Sequence, residues 1–212
     1  EPDSNDFQTY FYHQDTPEKY GFTSESFPSM FIPNSYEFYW TTSPEEFTQR
    51  MKREYVAFWS GNRDQKAKAI GFTKVQISTL ASIVDQEPLH DDENERIAGV
   101  FINRLKRGIP LQSDPTIIFA ANDFSIRRVL NIHKRIDSPY NTYLNKGLPP
   151  GPISIPSVDA IDAVLDYEEH KYLYFFLLSD FSGYHNFART LNQHNKNARL
   201  YQKALNRRKI FN

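Results

Sequence analysis

A single carboxylate continues the apolar face of a predicted helix. Apolar side chains recur over residues 77–84 at the i, i+3, i+4, i+7 spacing of a buried face, and Glu87 follows on the same face. Pro88 disfavours helical backbone in the residue before it, so the helix is predicted to end at Glu87. Partial burial there would raise the pKa of Glu87 and make it a general acid near neutral pH. A solvated Glu among acidic neighbours is the alternative.

Other polar and aromatic side chains that could bind a substrate follow further along the chain. Asn103 and Arg104 lie on the next predicted helix, where Arg104 could pair with a carboxylate, position a substrate or simply be solvated. Hydroxyl, amide and carboxylate groups then cluster in two predicted loops, the second of which runs into a stiff Gly- and Pro-rich segment. These loop candidates are Gln112, Ser113, Asp114, Thr116, Tyr140, Asn141 and Tyr143.

The composition excludes several classes of protein. The chain has 212 residues, 25 Lys and Arg against 26 Asp and Glu, and no Cys. A net charge of −1 argues against a protein that mainly coats nucleic acid, and the lack of Cys excludes disulfide scaffolds and thiolate metal sites. The six His residues show no zinc-binding spacing, and serine-hydrolase, P-loop and dinucleotide motifs are absent. We therefore expect no metal and no cofactor.

Four capping boxes predict where the longer helices begin. Each places Ser, Thr or Asp at the N-cap and Glu or Gln three residues later, so that two otherwise unpaired backbone donors are satisfied. These signals stand at 43–46, 73–76, 92–95 and 190–193. The four helices should end near residues 60, 85 and 107 and in a basic tail over 206–209.

The remaining pattern predicts an α+β fold, with several capped helices packed on a small antiparallel sheet. A ring-rich run over 172–178 has the length of a strand, and a second strand over 184–188 could pair with it across a turn at 180–183. Residues 1–42 are polar, aromatic and broken by prolines, so we expect a connecting segment of short helices and extended chain before a main domain over 43–212. Because the sequence starts at Glu1, we expect it to be a piece of a longer protein.

Several blocks of the sequence match, in order and spacing, the pattern of a known protein family. The central blocks read LASIVDQE over 80–87, IAGVFINRL over 97–105 and LQSDPT over 111–116. Further matching blocks stand at 31–36, 140–143, 147–151, 172–175 and 183–195, so the likeness covers roughly residues 27–205. These blocks resemble the endolytic murein transglycosylases of the YceG-like family, and the resemblance implies a YceG-like catalytic domain over 43–212.

The resemblance also implies that Glu87 is the catalytic acid, because it occupies the second acidic position of the family pattern S-I-V-E-K-E-T. This sequence departs from the pattern at Asp85, which shortens the first acid, and at Pro88, which removes a backbone donor and a hydroxyl. The implied reaction cleaves the β-1,4 bond between N-acetylmuramic acid and N-acetylglucosamine and leaves a 1,6-anhydro end. The loop candidates and His185 are expected to line the sugar subsites, supported by Asn103 and Arg104.

The implied partners are peptidoglycan glycan strands and, in addition, peptidoglycan synthases. The family places such a domain after a membrane anchor and a LysM-like module, on the extracytoplasmic (periplasmic) face of the bacterial inner membrane. Nucleic acid is not an expected partner, and contact with the membrane is expected only through an anchor outside these 212 residues.

Two other functions remain open at the level of the sequence. A hydrolysing muramidase would need a second carboxylate to activate water, and Asp114 is the only acid in a suitable predicted loop. A non-catalytic peptidoglycan-binding module would not need Glu87 at all.

Overall fold

A computed structural model describes residues 1–208 of the chain as helices around a buried central helix, with one small sheet at the side. Residues 209–212, which include the last position of the predicted basic tail, lie outside the described residues. The helices are α1 (Ser4–Tyr12), α2 (Thr16–Lys19), α3 (Pro44–Phe58), α4 (Asn62–Ile70), α5 (Lys74–Val84), α6 (Asn94–Lys106), α7 (Asp114–Ala121), α8 (Val158–Leu165) and α9 (Leu191–Arg207). The strands are β1 (Tyr174–Leu177) and β2 (His185–Ala188), and short 3-10 turns span Phe27–Met30, Asp91–Glu93 and His133–Arg135.

Three of the four predicted helix starts are confirmed. Ser43 and Thr73 cap α3 and α5 with complete capping boxes, and the side chain of Thr190 accepts the backbone N–H of Gln193 at the start of α9. The start predicted at 92–95 is wrong. There a 3-10 turn precedes α6, whose N-cap residue Glu93 makes no capping bond because its carboxylate is hydrogen-bonded to His185 instead.

The predicted hairpin is confirmed, and with it the α+β class. β1 and β2 pair antiparallel, with Tyr174 opposite Ala188 and Leu177 opposite His185. The turn between them closes with Leu178 N–H donating to the carbonyl of Tyr184. Helix α9 packs on both strands, while α6 packs on β1, so the sheet is held between two helices.

Helix α5 is the centre of the core. All its residues from Ile77 to Val84 are buried, and it packs against α8, α6, α4 and the first 3-10 turn. Polar groups of the helix are also paired, since the hydroxyl of Ser82 accepts the backbone N–H of Ile153 at 3.0 Å. Asp85, just after the helix, accepts a hydrogen bond from Ser157 at 2.6 Å. The C-terminal end of α5 is therefore fixed from several directions.

The N-terminal 42 residues contribute aromatic side chains to the same core. Tyr20, Phe22 and Phe27 are buried in the hydrophobic cluster that contains α5, and Phe11 packs against it. Ring contacts link Phe27 to Phe31 at 5.3 Å between centroids. The division into a connecting segment and a catalytic domain over 43–212 stays a prediction.

None of the helices within residues 1–208 is both long enough and apolar enough to span a bilayer.

One glycine tests the packing of α6 against the segment that leads into β1. A Cβ on Gly99 would collide with the backbone carbonyl oxygen of Glu168 and lie 2.7 Å from Nε2 of His170. We expect Gly99→Ala to lower the free energy of unfolding by about 1–3 kcal/mol, although Ala in place of Gly normally stabilises a helix by about 1 kcal/mol. Urea unfolding measures the change. Glu95→Ala, at an exposed position of the same helix, should change stability by at most about 0.5 kcal/mol. A Gly99→Ala protein as stable as the wild type would contradict the close packing.

Candidate active site

An open cavity of about 670 Å³ lies where the end of α5 meets the start of α7, the hairpin and α9. Its walls combine carboxylates, cations and imidazoles with aromatic and aliphatic side chains. The lining residues are Glu87, Leu89, Phe101, Arg104, Leu111, Gln112, Asp114, Lys134, Tyr143, Tyr174, Phe175, Phe176, Leu177, His185, Leu191 and His194. A cleft with a few convergent polar groups on apolar walls is the usual form of a ligand site.

Glu87 lies in this cavity just beyond the C-terminal end of α5. Its backbone N–H still bonds to the carbonyl of Val84 at 3.1 Å, and Pro88 then turns the chain away from the helix. The side chain keeps some accessible surface because it faces the cavity, but protein atoms surround the carboxyl on its other sides. Desolvation raises the pKa of Glu87 to about 7, with the charge of Asp114 acting in the same direction. The group therefore exchanges a proton near neutral pH.

Ser113 is the direct hydrogen-bond partner of Glu87. Its hydroxyl donates to Oε1 of Glu87 at 2.6 Å, which favours the carboxylate and partly opposes the effect of burial on the pKa. Ser113 is itself held by buried threonines: its backbone N–H donates to Oγ1 of Thr142 at 3.1 Å, and its carbonyl accepts from Thr116 at 2.7 Å. The partner of the acid is thus fixed by a buried network.

Asp114 and Tyr143 form the adjacent part of the wall. The hydroxyl of Tyr143 donates to Oδ1 of Asp114, and burial together with this carboxylate raises the pKa of Tyr143. The ammonium of Lys134 lies 4.4 Å from the centroid of the Tyr143 ring, a cation–π arrangement.

The prediction of a loop over 112–116 is wrong from Asp114 onward. The chain is helical there, because α7 begins at Asp114 with Pro115 in its first turn.

Arg104 is buried and ties the two sides of the cavity together. Its guanidinium donates to the carbonyl of Pro110 at 2.9 Å, the carbonyl of Leu173 at 3.0 Å and Oε1 of Gln112 at 2.6 Å. These bonds join α6 to the loop before α7 and to the start of β1. The backbone of Gln112 has a φ of 55°, and its N–H donates to the carbonyl of Thr142.

Besides Ser113, four of the predicted binding residues do not line the cavity. Asn103 donates to the carbonyls of His170 and Tyr172, at 2.8 and 3.1 Å. Asn141 is buried and donates to the carbonyls of Lys134 and Ile136. The other two are Thr116, within the hydroxyl network, and Tyr140, packed on Phe119. The structure brings together Glu87, Arg104, Gln112, Asp114, Tyr143 and His185 at the cavity, with Ser113 directly behind Glu87.

The hairpin side of the cavity contains groups that sequence reasoning did not single out. His194, on α9, packs its ring on Tyr174 and Phe176, and within residues 1–208 its buried Nδ1 has no hydrogen-bond partner. Burial, with the charge of Arg104, lowers the pKa of His194. Lys134 belongs to no sequence motif. His194 and the strand over 172–175 fall within blocks that resemble the family, but sequence reasoning assigns neither a role in the site.

No three His, Asp or Glu side chains within residues 1–208 converge in a way that could hold a metal ion.

The fold and the cavity define an α+β protein with a desolvated glutamic acid in an open cleft. Residues 3–200 match the YceG-like family, and since this match covers most of the chain, the chain belongs to that family. It is 41% identical over 131 residues to an endolytic murein transglycosylase from Bacillus subtilis (strain 168), covering 62% of this chain and 36% of that protein.

Two further comparisons agree. The chain is 40% identical over 112 residues to an endolytic murein transglycosylase from Streptococcus pneumoniae serotype 2 (strain D39 / NCTC 7466), covering 51% of this chain and 20% of that protein. A crystal structure of a YceG-like protein from Listeria monocytogenes matches with a TM-score of 0.69 and 32% identity, over 79% of this chain and 53% of that one. The chain therefore spans about a third or less of the length of these curated relatives.

The raised pKa of Glu87 predicts a stability that depends on pH. Its native pKa of about 7 exceeds the ordinary value of 4.5, so the protonated form stabilises the fold fully below pH 4.5, and that contribution is lost as pH rises through 7. We expect Glu87→Gln to be more stable than the wild type at pH 8, by about 1–3 kcal/mol, and similar to it at pH 4.5. Urea unfolding at both values measures this. Glu95→Gln, at an exposed position, controls for the loss of any carboxylate. An equal effect of Glu87→Gln at both pH values would contradict the burial of the acid.

The hydrogen bond from Ser113 sets part of that pKa. Because the hydroxyl stabilises the carboxylate, Ser113→Ala should raise the pKa of Glu87 further, by about one unit if the bond contributes roughly 1.5 kcal/mol. Carbon-13 NMR of Glu-labelled protein follows the titration. Ser125→Ala is the matched control, since it removes a Ser–carboxylate bond, to Asp123, on the surface. A pKa that stays the same in Ser113→Ala would show that this hydroxyl does not interact with the acid in solution.

Proposed function

We propose that this chain cleaves peptidoglycan as an endolytic lytic transglycosylase with Glu87 as its acid. The observation that carries the proposal is the carboxyl of Glu87, whose pKa of about 7 lets it hold a proton near neutral pH in the wall of an open cavity. The names of the relatives supply the substrate class, murein, and the kind of reaction. The bond cut is the β-1,4 bond between N-acetylmuramic acid and N-acetylglucosamine.

In the proposed reaction Glu87 acts first as an acid and then as a base. It donates its proton to the glycosidic oxygen, so that the N-acetylglucosamine residue leaves and positive charge develops at C1 of the muramyl sugar. The resulting carboxylate accepts the proton of the muramyl C6 hydroxyl while that oxygen bonds to C1. The product carries a 1,6-anhydro bridge and no water is consumed, which explains how one carboxyl can suffice where most glycosidases use two. The hydroxyl of Ser113, 2.6 Å from Glu87, stabilises the carboxylate between the two steps.

The other residues fall into two groups in this proposal. Gln112, Asp114, Tyr143 and His185 lie on the cavity walls and contact the sugars. The rest hold the walls in place through hydrogen bonds and packing, namely Asn103, Arg104, Thr116, Tyr140 and Asn141.

The proposed substrate also sets the proposed location. Peptidoglycan lies outside the cytoplasmic membrane, so we propose that the chain acts on its extracytoplasmic face. An anchor in another part of the protein and a peptidoglycan synthase as partner belong to the same proposal.

Mass spectrometry of the products tests the function. Uncrosslinked peptidoglycan strands incubated with the chain should give internal fragments one water lighter than hydrolysis products. Glu87→Gln should reduce their formation by about 10²–10⁴-fold, the usual contribution of a general acid. The control is Glu95→Gln, which should leave the rate unchanged because the residue is exposed on α6 and lies outside the cavity. Full turnover by Glu87→Gln would contradict the role of Glu87, and no fragments from any variant would favour a binding-only module.

One observation supports a hydrolysing muramidase as the second candidate. Asp114 lines the same cavity as Glu87, and its charge raises the pKa of Glu87, so a second carboxylate stands near the acid. As a base, Asp114 would activate a water molecule, and the fragments would carry the full water and reducing ends. Reducing ends that disappear in Asp114→Asn would support this reaction, whereas anhydro ends that persist in Asp114→Asn would exclude it.

A further inference from the structure

A buried carboxylate holds both the backbone and the ring of His185. Glu93, the last residue before α6, accepts the backbone N–H of His185 through Oε1 at 3.1 Å. Its Oε2 lies 2.7 Å from Nδ1 of the His185 ring, and both side chains are only 6% exposed. Glu93 therefore fixes the position and the orientation of the imidazole.

This contact also determines which ring nitrogen carries the proton. An ionised carboxylate only accepts hydrogen bonds, so Nδ1 of His185 must be the donor, and in a neutral imidazole Nε2 is then an acceptor. No side chain or backbone group within residues 1–208 hydrogen-bonds to Nε2, and this atom is not sealed from solvent. Since His185 lines the cavity beside Phe175, its free lone pair is available to a molecule bound there.

We propose that Nε2 of His185 accepts a hydrogen bond from an amide N–H of the bound glycan, a group that can only donate. Glu93 is the positioning residue, because it fixes this nitrogen as an acceptor without touching the ligand. The identity of the ligand rests on the proposed function. The hydrogen bond is a recognition contact on the hairpin wall of the cavity, separate from the proton transfers of Glu87.

Glu93→Gln tests the tautomer with almost no change of shape. The backbone N–H of His185 still requires an oxygen, so the Gln carbonyl should turn toward it and the amide NH₂ toward Nδ1. Nδ1 must then accept, and the proton moves to Nε2. Nitrogen-15 NMR of the labelled imidazole should report Nδ1–H in the wild type and Nε2–H in Glu93→Gln. Glu95→Gln, two residues away and exposed, should resemble the wild type.

Binding is measured without turnover, in a Glu87→Gln background, by titration with uncrosslinked glycan strands. Adding Glu93→Gln should weaken binding about 10-fold, because Nε2–H of His185 would then face the donor group of the ligand. Adding Glu95→Gln should have no effect. Thermal unfolding of each variant shows that it is folded before it is compared.

Two substitutions of His185 separate recognition from a structural pairing with Glu93. Asn places its amide where Nδ1 lies and keeps the bond to Glu93, but it has no atom at the position of Nε2. The longer Gln places its amide near the position of Nε2 and gives up the bond to Glu93. Recognition predicts that His185→Gln binds glycan more tightly than His185→Asn, and a purely structural pairing predicts the reverse order.

The outcomes distinguish this inference from the proposed function. Nε2–H or a doubly protonated ring in the wild type, unchanged binding in Glu93→Gln, or the reverse order of the two His185 variants would overturn the inference alone. Failure of the Glu87→Gln background to bind glycan at all would overturn the proposed function and, with it, the ligand named here.

Discussion

The burial of α5 on all sides is the constraint on which the rest of the structure depends. A helix that is surrounded by other elements leaves no solvated face for a residue that follows its last turn. Glu87 is such a residue, and protein atoms replace water around most of its carboxyl. Its raised pKa is therefore a consequence of where the core ends. The group with the raised pKa therefore lies at the boundary between the apolar helix and the open cleft, where functional groups with shifted pKa values are usually found.

The cavity keeps its shape because buried polar side chains bond to backbone carbonyls on both of its sides. Arg104 bonds to the segment before α7 and to the start of β1, and the neighbouring Asn103 bonds to the segment that leads into β1. A guanidinium offers several donors in one plane, so a single residue can bond to two separate segments of the chain. Removing such a group would leave several buried acceptors without partners.

The two walls of the cavity offer different chemistry. The wall from α5 and α7 presents carboxyl groups, with Glu87 backed by Ser113 and Asp114 backed by Tyr143. The wall from the hairpin and α9 presents aromatic rings and the two imidazoles of His185 and His194. This arrangement is compatible with the proposed sugar substrate, whose apolar faces could pack on rings and whose hydroxyl edges could meet fixed polar groups.

The sequence alone determined the elements whose signals are local. Capping boxes at Ser43 and Thr73 predicted α3 and α5, and the apolar period of α5 placed Glu87 at the end of a buried face. These features depend on residues three or four positions apart, so they can be predicted without knowledge of the fold. The family pattern added the identity of the acid as an expectation, which no local rule could supply.

Only the tertiary structure decided which side chains meet. Ser113 lies 26 residues from Glu87, and Glu93 lies 92 residues from His185, and neither spacing has a periodic signature. The same packing places Asn103 outside the cavity, although Asn103 is adjacent in sequence to Arg104, which lines it. Side-chain periodicity determines the face of a helix on which a residue lies. The partner opposite that face depends on how separate elements pack, and this packing decided the pKa of the acid and the hydrogen bonds around it.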